Sequence, residues 1–382
     1  MIRLFLLRKI DIYLGGFCNL LFHPKRRKNK SFYKKILLIK LWGLGNLTII
    51  WPLIYKIKER YPDSQIFFLT FDLNKNFLEK NEAITEVVYF RYSENIFKII
   101  TQFLFFLIKF RKEMIDIIVN FETFNNTSAL FSYLIGAPLR IGLNNEYEKM
   151  FYTYRIDRNP SQHISQTFTS LLNPLGINSP YAYFHFKESK QDKLMVEDIL
   201  KTARVDRFIC IHPGTSGNFK GKRWSLERFS KLSNMLIEEY DPPLIFTGTE
   251  KERDLIEEIV DSALSAKGRI FNLAGKLKIW EFVELIRESL FFVSNDTGPV
   301  HIAASLGVNI AVLYGPTSPR IYMPLNKNSL CFYRGLKCSP CAGAARELRK
   351  CKNNFQCLDF SPREIFSEIS GKFFNGKKNQ SN

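Results

Sequence analysis

The chain has 382 residues, too many for one ordinary hydrophobic core, so two α/β domains are the expectation. Hydrophobic residues at 46% and charged residues at 24% are the balance of a globular protein. The 55 basic against 37 acidic side chains leave a net charge of +18, which invites nucleic acid, an anionic membrane or a phosphorylated substrate; no zinc finger, RNP signature or basic recognition helix accompanies it, so nucleic acid is the weakest of the three.

Residues 1–22 are rich in Leu, Ile and Phe yet carry Arg3, Arg8, Lys9 and Asp11, which count against a spanning helix, and no clear signal-peptide cleavage site is present. Lys25-Arg26-Arg27-Lys28-Asn29-Lys30 follows. An apolar segment ahead of a basic cluster suits a membrane-surface anchor over residues 1–30, the alternative being a frayed terminus with a solvated basic run.

Past this leader, short apolar runs at 35–40, 66–70, 86–90 and 115–120 predict strands. A glycine turn, Trp42-Gly43-Leu44-Gly45-Asn46, leads from the first of them into a helix that reaches about residue 60. The stretch 96–110 holds Phe103, Phe105, Phe106 and Phe110 and is too short to span a membrane; it is expected as a core helix, with membrane docking of its Phe-rich face as the alternative. A further helix is expected at 128–135. This βα alternation over residues 31–185 implies a doubly wound parallel sheet.

The pattern loosens into a linker near 174–190, and a second series occupies 186–330. It has strands at 208–212, 244–247 and 309–313, and amphipathic helices at 225–240 and 279–288. Loops rich in Gly and polar residues stand at the carboxyl ends of these strands, the edge at which open α/β sheets bind ligands. The most informative is Ser294-Asn295-Asp296-Thr297-Gly298-Pro299-Val300-His301, which leads from the apolar run 290–293 into a helix. Gly298 suits a tight bend and Pro299 a first helical position. Free amides at Thr297, Gly298, Val300 and His301 are expected to point from that helix end, a receptive place for phosphate.

Taken together, the motifs resemble glycosyltransferase family 9, the lipopolysaccharide heptosyltransferase-like enzymes. The residues that carry the resemblance are Lys40-Leu41-Trp42-Gly43-Leu44-Gly45-Asn46 with Pro52, His212-Pro213-Gly214-Thr215 with Lys222-Arg223-Trp224, Gly248-Thr249-Glu250, Leu273-Ala274-Gly275, and Ser294–His301 with Tyr314-Gly315-Pro316-Thr317. They run in family order over about residues 34 to 320. The resemblance implies a GT-B architecture, two Rossmann-like domains whose parallel sheets face each other across a cleft. The first would receive the acceptor and the second the nucleotide-sugar donor. A C-terminal helix at 361–374, beyond a Cys-rich basic segment within 331–382, would pack back.

Sugar transfer from a nucleoside diphosphate needs a stabilised leaving diphosphate and an acceptor hydroxyl that is aimed and deprotonated. The Thr297 and Gly298 amides, the Lys222 cation and the hydroxyls of Thr215 and Ser216 suit the diphosphate. By resemblance, Asp296 would hold sugar hydroxyls or order its own loop, His301 would face the phosphates, and Glu250 would take the ribose hydroxyls. No Asp-x-Asp signature is present, so metal-independent transfer without a cofactor is expected.

One residue departs from the family pattern. Heptosyltransferases usually carry Gly-Asp in the first turn, and that aspartate is the proposed base; here the pair is Gly45-Asn46. An amide can orient a hydroxyl but cannot take its proton. Glu122, just past the strand expected at 115–120, is the preferred substitute, and Asp72 is the second. Loss of activity is the other explanation of Asn46, giving a noncatalytic GT-B protein that binds glycolipid or a partner enzyme.

Five of the seven cysteines cluster at Cys331, Cys338, Cys341, Cys351 and Cys357. Cys338, Cys341, Cys351 and Cys357 are expected as unligated or locally paired thiols, with a structural zinc as the alternative. The functional expectation is an inverting glycosyltransferase, cytoplasmic and peripheral on the inner membrane. It would move a heptose or related sugar from an ADP-heptose-like donor to a lipid-linked glycan such as lipopolysaccharide core. The partners expected are that donor, that acceptor and an anionic membrane surface.

Overall fold

In a computed structural model, which describes residues 33–374 apart from 92, 94, 124–125, 145–150, 179, 216–220, 264–267 and 342–350, the apolar runs become the strands of two parallel sheets. The expected anchor at 1–30 lies outside the described residues. The chain divides into two units, Met1–Ala182 and Tyr183–Asn382.

The first sheet contains β1 (Lys35–Ile39), β2 (Gln65–Phe71), β3 (Glu86–Phe90), β4 (Ile117–Asn120), β5 (Leu139–Leu143) and β6 (Tyr154–Ile156), in the order β3-β2-β1-β4-β5-β6. Every pairing is parallel; Ile36, for example, lies level with Ile66 on one side and Ile117 on the other. Helix α1 (Leu44–Arg60) starts at Gly43, whose φ of +92° is readily available only to glycine, and ends with Lys58 and Arg60 in its last turn, where cations complement the helix dipole. Helix α2 (Ile96–Lys112) is capped by Asn95, whose side-chain oxygen accepts from Phe97 N at 2.9 Å. Helix α3 (Asn126–Ile135) follows β4.

The second sheet contains β7 (Ile209–His212), β8 (Leu244–Phe246), β9 (Ile270–Asn272), β10 (Phe292–Asn295), β11 (Ile310–Tyr314) and β12 (Ser329–Tyr333), in the order β12-β11-β10-β7-β8-β9. Counted from β7, this repeats the doubly wound order of the first sheet. Its helices include α4 (Lys190–Thr202), α5 (Leu226–Tyr240), α6 (Arg253–Ser262), α7 (Ile279–Glu288), α8 (Pro299–Ser305) and α9 (Pro362–Ile369). Ser225 caps α5 by accepting from Arg228 N at 3.3 Å, and Asp241 closes it in the left-handed conformation. The C-terminal helix α9 packs on α5 and β12 of its own unit, where the Tyr240 ring stacks on Phe374 at 3.8 Å.

Two Rossmann-like units with wholly parallel sheets constitute the GT-B class expected from the sequence. In each sheet the order of connection reverses once, between β1 and β4 and again between β7 and β10. Ligands bind outside the carboxyl ends of the strands at such switch points. The residues singled out in the sequence occupy both of them: the Asn46 turn follows β1 and Glu122 follows β4, while Thr215 follows β7 and Asp296 follows β10.

Helix α2 is less buried than a core helix. Phe110 is enclosed, and Phe103, Phe106 and Leu107 pack partly on the core beneath, but Phe97, Ile100, Leu104, Phe105 and Ile108 are exposed. Its apolar residues continue around the helix onto the solvent side, so a single amphipathic stripe does not describe them.

Candidate functional site

At the second switch point the ends of β7 and β10 are stitched together by short polar side chains. Ser294 Oγ donates to His212 O at 3.0 Å, and Asn295 Nδ2 donates to Pro213 O at 2.8 Å. Asn295 Oδ1 accepts from Trp224 N at 3.0 Å, and the Trp224 indole N–H donates to Phe360 O at 3.2 Å. These bonds fix the loop that carries Lys222. Its ammonium sits 2.8 Å from Asp296 Oδ2, which also accepts from Thr317 Oγ1 at 2.5 Å. Asp296 therefore orders the mouth of the site by holding a cation and a hydroxyl in place.

The sequence promised four free amides here, and the structure leaves two. Val300 N donates to Thr297 O at 3.3 Å and His301 N to Gly298 O at 3.1 Å, because the first turn of α8 is closed by i to i−3 bonds. The amides of Thr297 and Gly298 donate to no group among the described residues. Gly298 itself has φ −52° and ψ −44°, ordinary right-handed values, so the bend does not depend on a left-handed glycine.

His301 is buried behind these amides, and its Nδ1 is 2.8 Å from the Tyr183 hydroxyl. Burial pushes that hydroxyl far above the ordinary tyrosine value, while the Leu325 backbone N–H donates to its oxygen. Where Nδ1 accepts the Tyr183 proton, Nε2 carries the imidazole hydrogen and is the donor. Tyr183 lies 118 residues from His301, and no sequence signal links them.

Thr215 is buried at the end of β7, and Ser216 lies outside the described residues. Glu250 follows β8, is exposed, and pairs with Arg253 at 2.7 Å. Gly275, at φ +73°, passes directly beneath it: a Cβ there would stand 1.9 Å from Glu250 Oε2. Beside this contact opens a hollow of about 470 Å³ lined by Arg253, Glu257, Asn272, Leu273 and Lys276 among others. Glu252 is the carboxylate that sequence reasoning missed. It closes a capping box with Thr249, accepting from Thr249 N at 2.8 Å, and faces Gly214, where a Cβ would lie 2.2 Å from its Oε1. The Thr249-x-x-Glu252 spacing was the available signal. Burial pulls the His212 imidazole down to about 4, against the opposing pull of Glu252.

At the first switch point the arrangement is tighter. Lys40 is only 2% exposed, and its ammonium lies 3.0 Å from Glu122 Oε2, itself buried. Glu122 Oε1 accepts from Leu41 N at 2.6 Å and from Trp42 N at 3.4 Å. Asn120 Oδ1 accepts from Glu122 N at 3.0 Å, while its Nδ2 donates to Ser128 Oγ and Tyr152 OH, each at 2.9 Å. Glu122 thus compensates a buried lysine and organises the turn that leads to Asn46. The half-buried Asn46 amide has no hydrogen-bond partner among the described residues. Asp72 opens its own short turn and accepts from Leu73 N at 2.9 Å.

Among the described cysteines, Cys338 and Cys341 are exposed and Cys357 is buried, none of the three in a disulfide, and burial raises the Cys357 thiol to about 11. Among the described residues, no cluster of three or more His, Cys, Asp or Glu is placed to hold a metal ion.

Known proteins share both the sequence pattern and the fold. Lipooligosaccharide heptosyltransferase 2 of Haemophilus ducreyi is 26% identical over 309 residues, covering 78% of this chain and 87% of its own length. The solved glycosyltransferase family 9 structure from Veillonella parvula superposes with a TM-score of 0.75 at 19% identity, over 90% of this chain and 98% of its own. The ADP-heptose lps heptosyltransferase II structure from E. coli gives a TM-score of 0.71 at 20% identity, over 90% and 99%. The family model described as glycosyltransferase family 9 (heptosyltransferase) matches residues 108–352, well over half of the chain. On that match, and with polar loops gathered at both switch points, this chain belongs to glycosyltransferase family 9 and is a glycosyltransferase.

Proposed function

We propose that the protein moves a heptose from an ADP-heptose-like nucleoside diphosphate donor to a lipid-linked glycan of the lipopolysaccharide-core type, with inversion at the anomeric carbon. The relatives' printed names, lipooligosaccharide heptosyltransferase and ADP-heptose lps heptosyltransferase, support the sugar, the donor and the acceptor class. The observation that carries the reading is the joining of Lys222 to Asp296 at 2.8 Å, next to two amides, at Thr297 and Gly298, that have no acceptor among the described residues.

In this reading the diphosphate takes the Thr297 and Gly298 amides and the Nε2–H of His301, while Thr215 and Ser216 offer hydroxyls. Lys222 swings from Asp296 to the leaving oxygens as charge develops there, stabilisation worth about 3 kcal/mol for one well-placed donor. Freed from Lys222, Asp296 accepts from the sugar hydroxyls. Glu250 takes the ribose hydroxyls beside the hollow lined by Arg253 and Asn272, with no metal ion taking part.

On the acceptor side, Asn46 orients the attacking hydroxyl and Glu122 takes its proton. Little basicity is needed when the diphosphate leaves ahead of attack and proton transfer comes late. In this reading the acceptor is met from the membrane surface, on the cytoplasmic side of the inner membrane. No helix among the described residues is long and apolar enough to cross a membrane.

Incubation of the purified protein with ADP-heptose and a truncated lipopolysaccharide acceptor, followed by mass spectrometry, tests the reading. An acceptor heavier by one heptose is expected. Donor binding without transfer under any acceptor would leave a noncatalytic binding protein instead.

A further inference from the structure

The described residues of the first unit leave an apolar surface exposed. Helix α2 turns Phe103, Phe106 and Phe110 toward the core, yet Phe97, Ile100, Leu104 and Ile108, spaced three or four residues apart, form a second stripe on its outer side. Phe97 is 74% exposed and Ile108 55%, with Phe105 beside the stripe at 63%. A surface helix of a soluble domain ordinarily presents polar side chains there.

Charge decides what such a face fits. The helix contains Lys98, Lys109, Arg111 and Lys112 and no Asp or Glu. Two nearby carboxylates are neutralised: Glu86 pairs with Lys109, and Glu113 with Lys35. A cationic helix with an exposed apolar stripe complements an anionic lipid surface, apolar side chains entering the acyl boundary and basic ones meeting headgroups.

The stripe is also joined to the acceptor turn. Trp42, itself 41% exposed, packs on Phe71 at 4.2 Å, Phe71 on Phe90 at 6.2 Å, Phe90 on Phe106 at 4.9 Å, and Phe106 on Phe105 at 5.3 Å. This aromatic chain links the loop after β1, which leads to Asn46, with the outer side of α2.

We propose that the outer face of α2, with Trp42 at the far end of the aromatic chain, is a docking surface for an anionic lipid bilayer that presents the lipid-linked acceptor to the first switch point. The choice of lipid rests in part on the acceptor class proposed above.

The test is co-sedimentation of the full-length protein with phosphatidylethanolamine–phosphatidylglycerol vesicles, three parts to one, and with phosphatidylcholine vesicles. A Phe97→Ser, Leu104→Ser, Ile108→Ser triple variant is measured beside the wild type. The wild type should partition about tenfold more strongly to the anionic vesicles, and the triple variant should lose about tenfold or more of that partitioning while still glycosylating a delipidated core oligosaccharide. Should the triple variant not fold, Leu104→Trp fluorescence quenched by bromine-labelled lipid reports the same contact. The proposal is overturned if the wild type ignores anionic vesicles, if the folded variant binds them equally well, or if Leu104→Trp stays unquenched on bound protein. Lipid-free self-association abolished by the triple substitution would assign the face to a second copy and overturn it as well. Vesicle binding requires no turnover, so a protein that docks through α2 but transfers no heptose refutes the enzymatic reading and leaves this surface standing. Transfer to the soluble oligosaccharide without docking does the reverse.

Discussion

Lys222 Nζ and Asp296 Oδ2 stand 2.8 Å apart although 74 residues separate them in sequence. They lie on the loops after β7 and β10, adjacent strands at which the sheet's connection reverses. A cation held by a carboxylate is available to a diphosphate that competes for it. Replacing Lys222 by Met should lower kcat/KM by a factor of about 10² to 10³ in a donor-release assay. Thermal unfolding should show a loss of roughly 2 kcal/mol, because Asp296 then keeps only the Thr317 hydroxyl as partner. An Asp296→Asn, Lys222→Met double variant should recover much of the stability and none of the activity.

Tyr183→Phe removes the hydroxyl that is hydrogen-bonded to His301 Nδ1. Transfer should fall about tenfold. The Tyr183→Phe, His301→Ala double variant should be no slower than His301→Ala alone, since the tyrosine acts only through the imidazole. Additive losses in steady-state kinetics would separate the two residues.

Glu122→Gln tests two roles with different signatures. Loss of charge leaves Lys40 unpaired in a buried site and should destabilise the protein by roughly 3 kcal/mol. If Glu122 is also the base, kcat should drop by a factor of about 10² or more. Adding Lys40→Met should restore much of the melting temperature without restoring kcat. Recovery of both would leave Glu122 with a structural role only.

His212 links stability to pH. Its folded value of about 4 lies below the ordinary 6.5, so the unfolded chain binds more protons between those limits. Its contribution is complete above about pH 6.5 and declines as pH falls through that window, the loss reaching at most roughly 3 kcal/mol by pH 4. Urea unfolding at pH 7 and pH 5 should show wild type losing more stability than His212→Asn over that interval.

The fold was legible where strands were short, wholly apolar and bounded by glycine or polar turns, as in β1, β2, β7 and β10. It was opaque at β5, whose run Leu139-Arg140-Ile141-Gly142-Leu143 is broken by a charge and a glycine. Both have tertiary causes: Arg140 Nε donates to Phe151 O at 2.8 Å, and the Tyr152 ring fills the space that a Gly142 Cβ would enter. Strand β6 is a three-residue edge strand, too short to carry a period. Strand β12 was obscured because Cys331 drew it into the Cys-rich segment. At the candidate site, motif residues were legible because they punctuate strand ends. The Tyr183–His301 contact was not, since it depends on chain far away, and the count of free amides failed because a tight first turn satisfies two of them internally.

The account stands most directly on a crystal structure with an ADP-heptose analogue bound. It should show diphosphate oxygens about 3 Å from the Thr297 and Gly298 nitrogens, with the Lys222 ammonium moved from Asp296 onto the same phosphates. A diphosphate bound elsewhere, with the Lys222–Asp296 pair intact and both amides facing solvent, would contradict it.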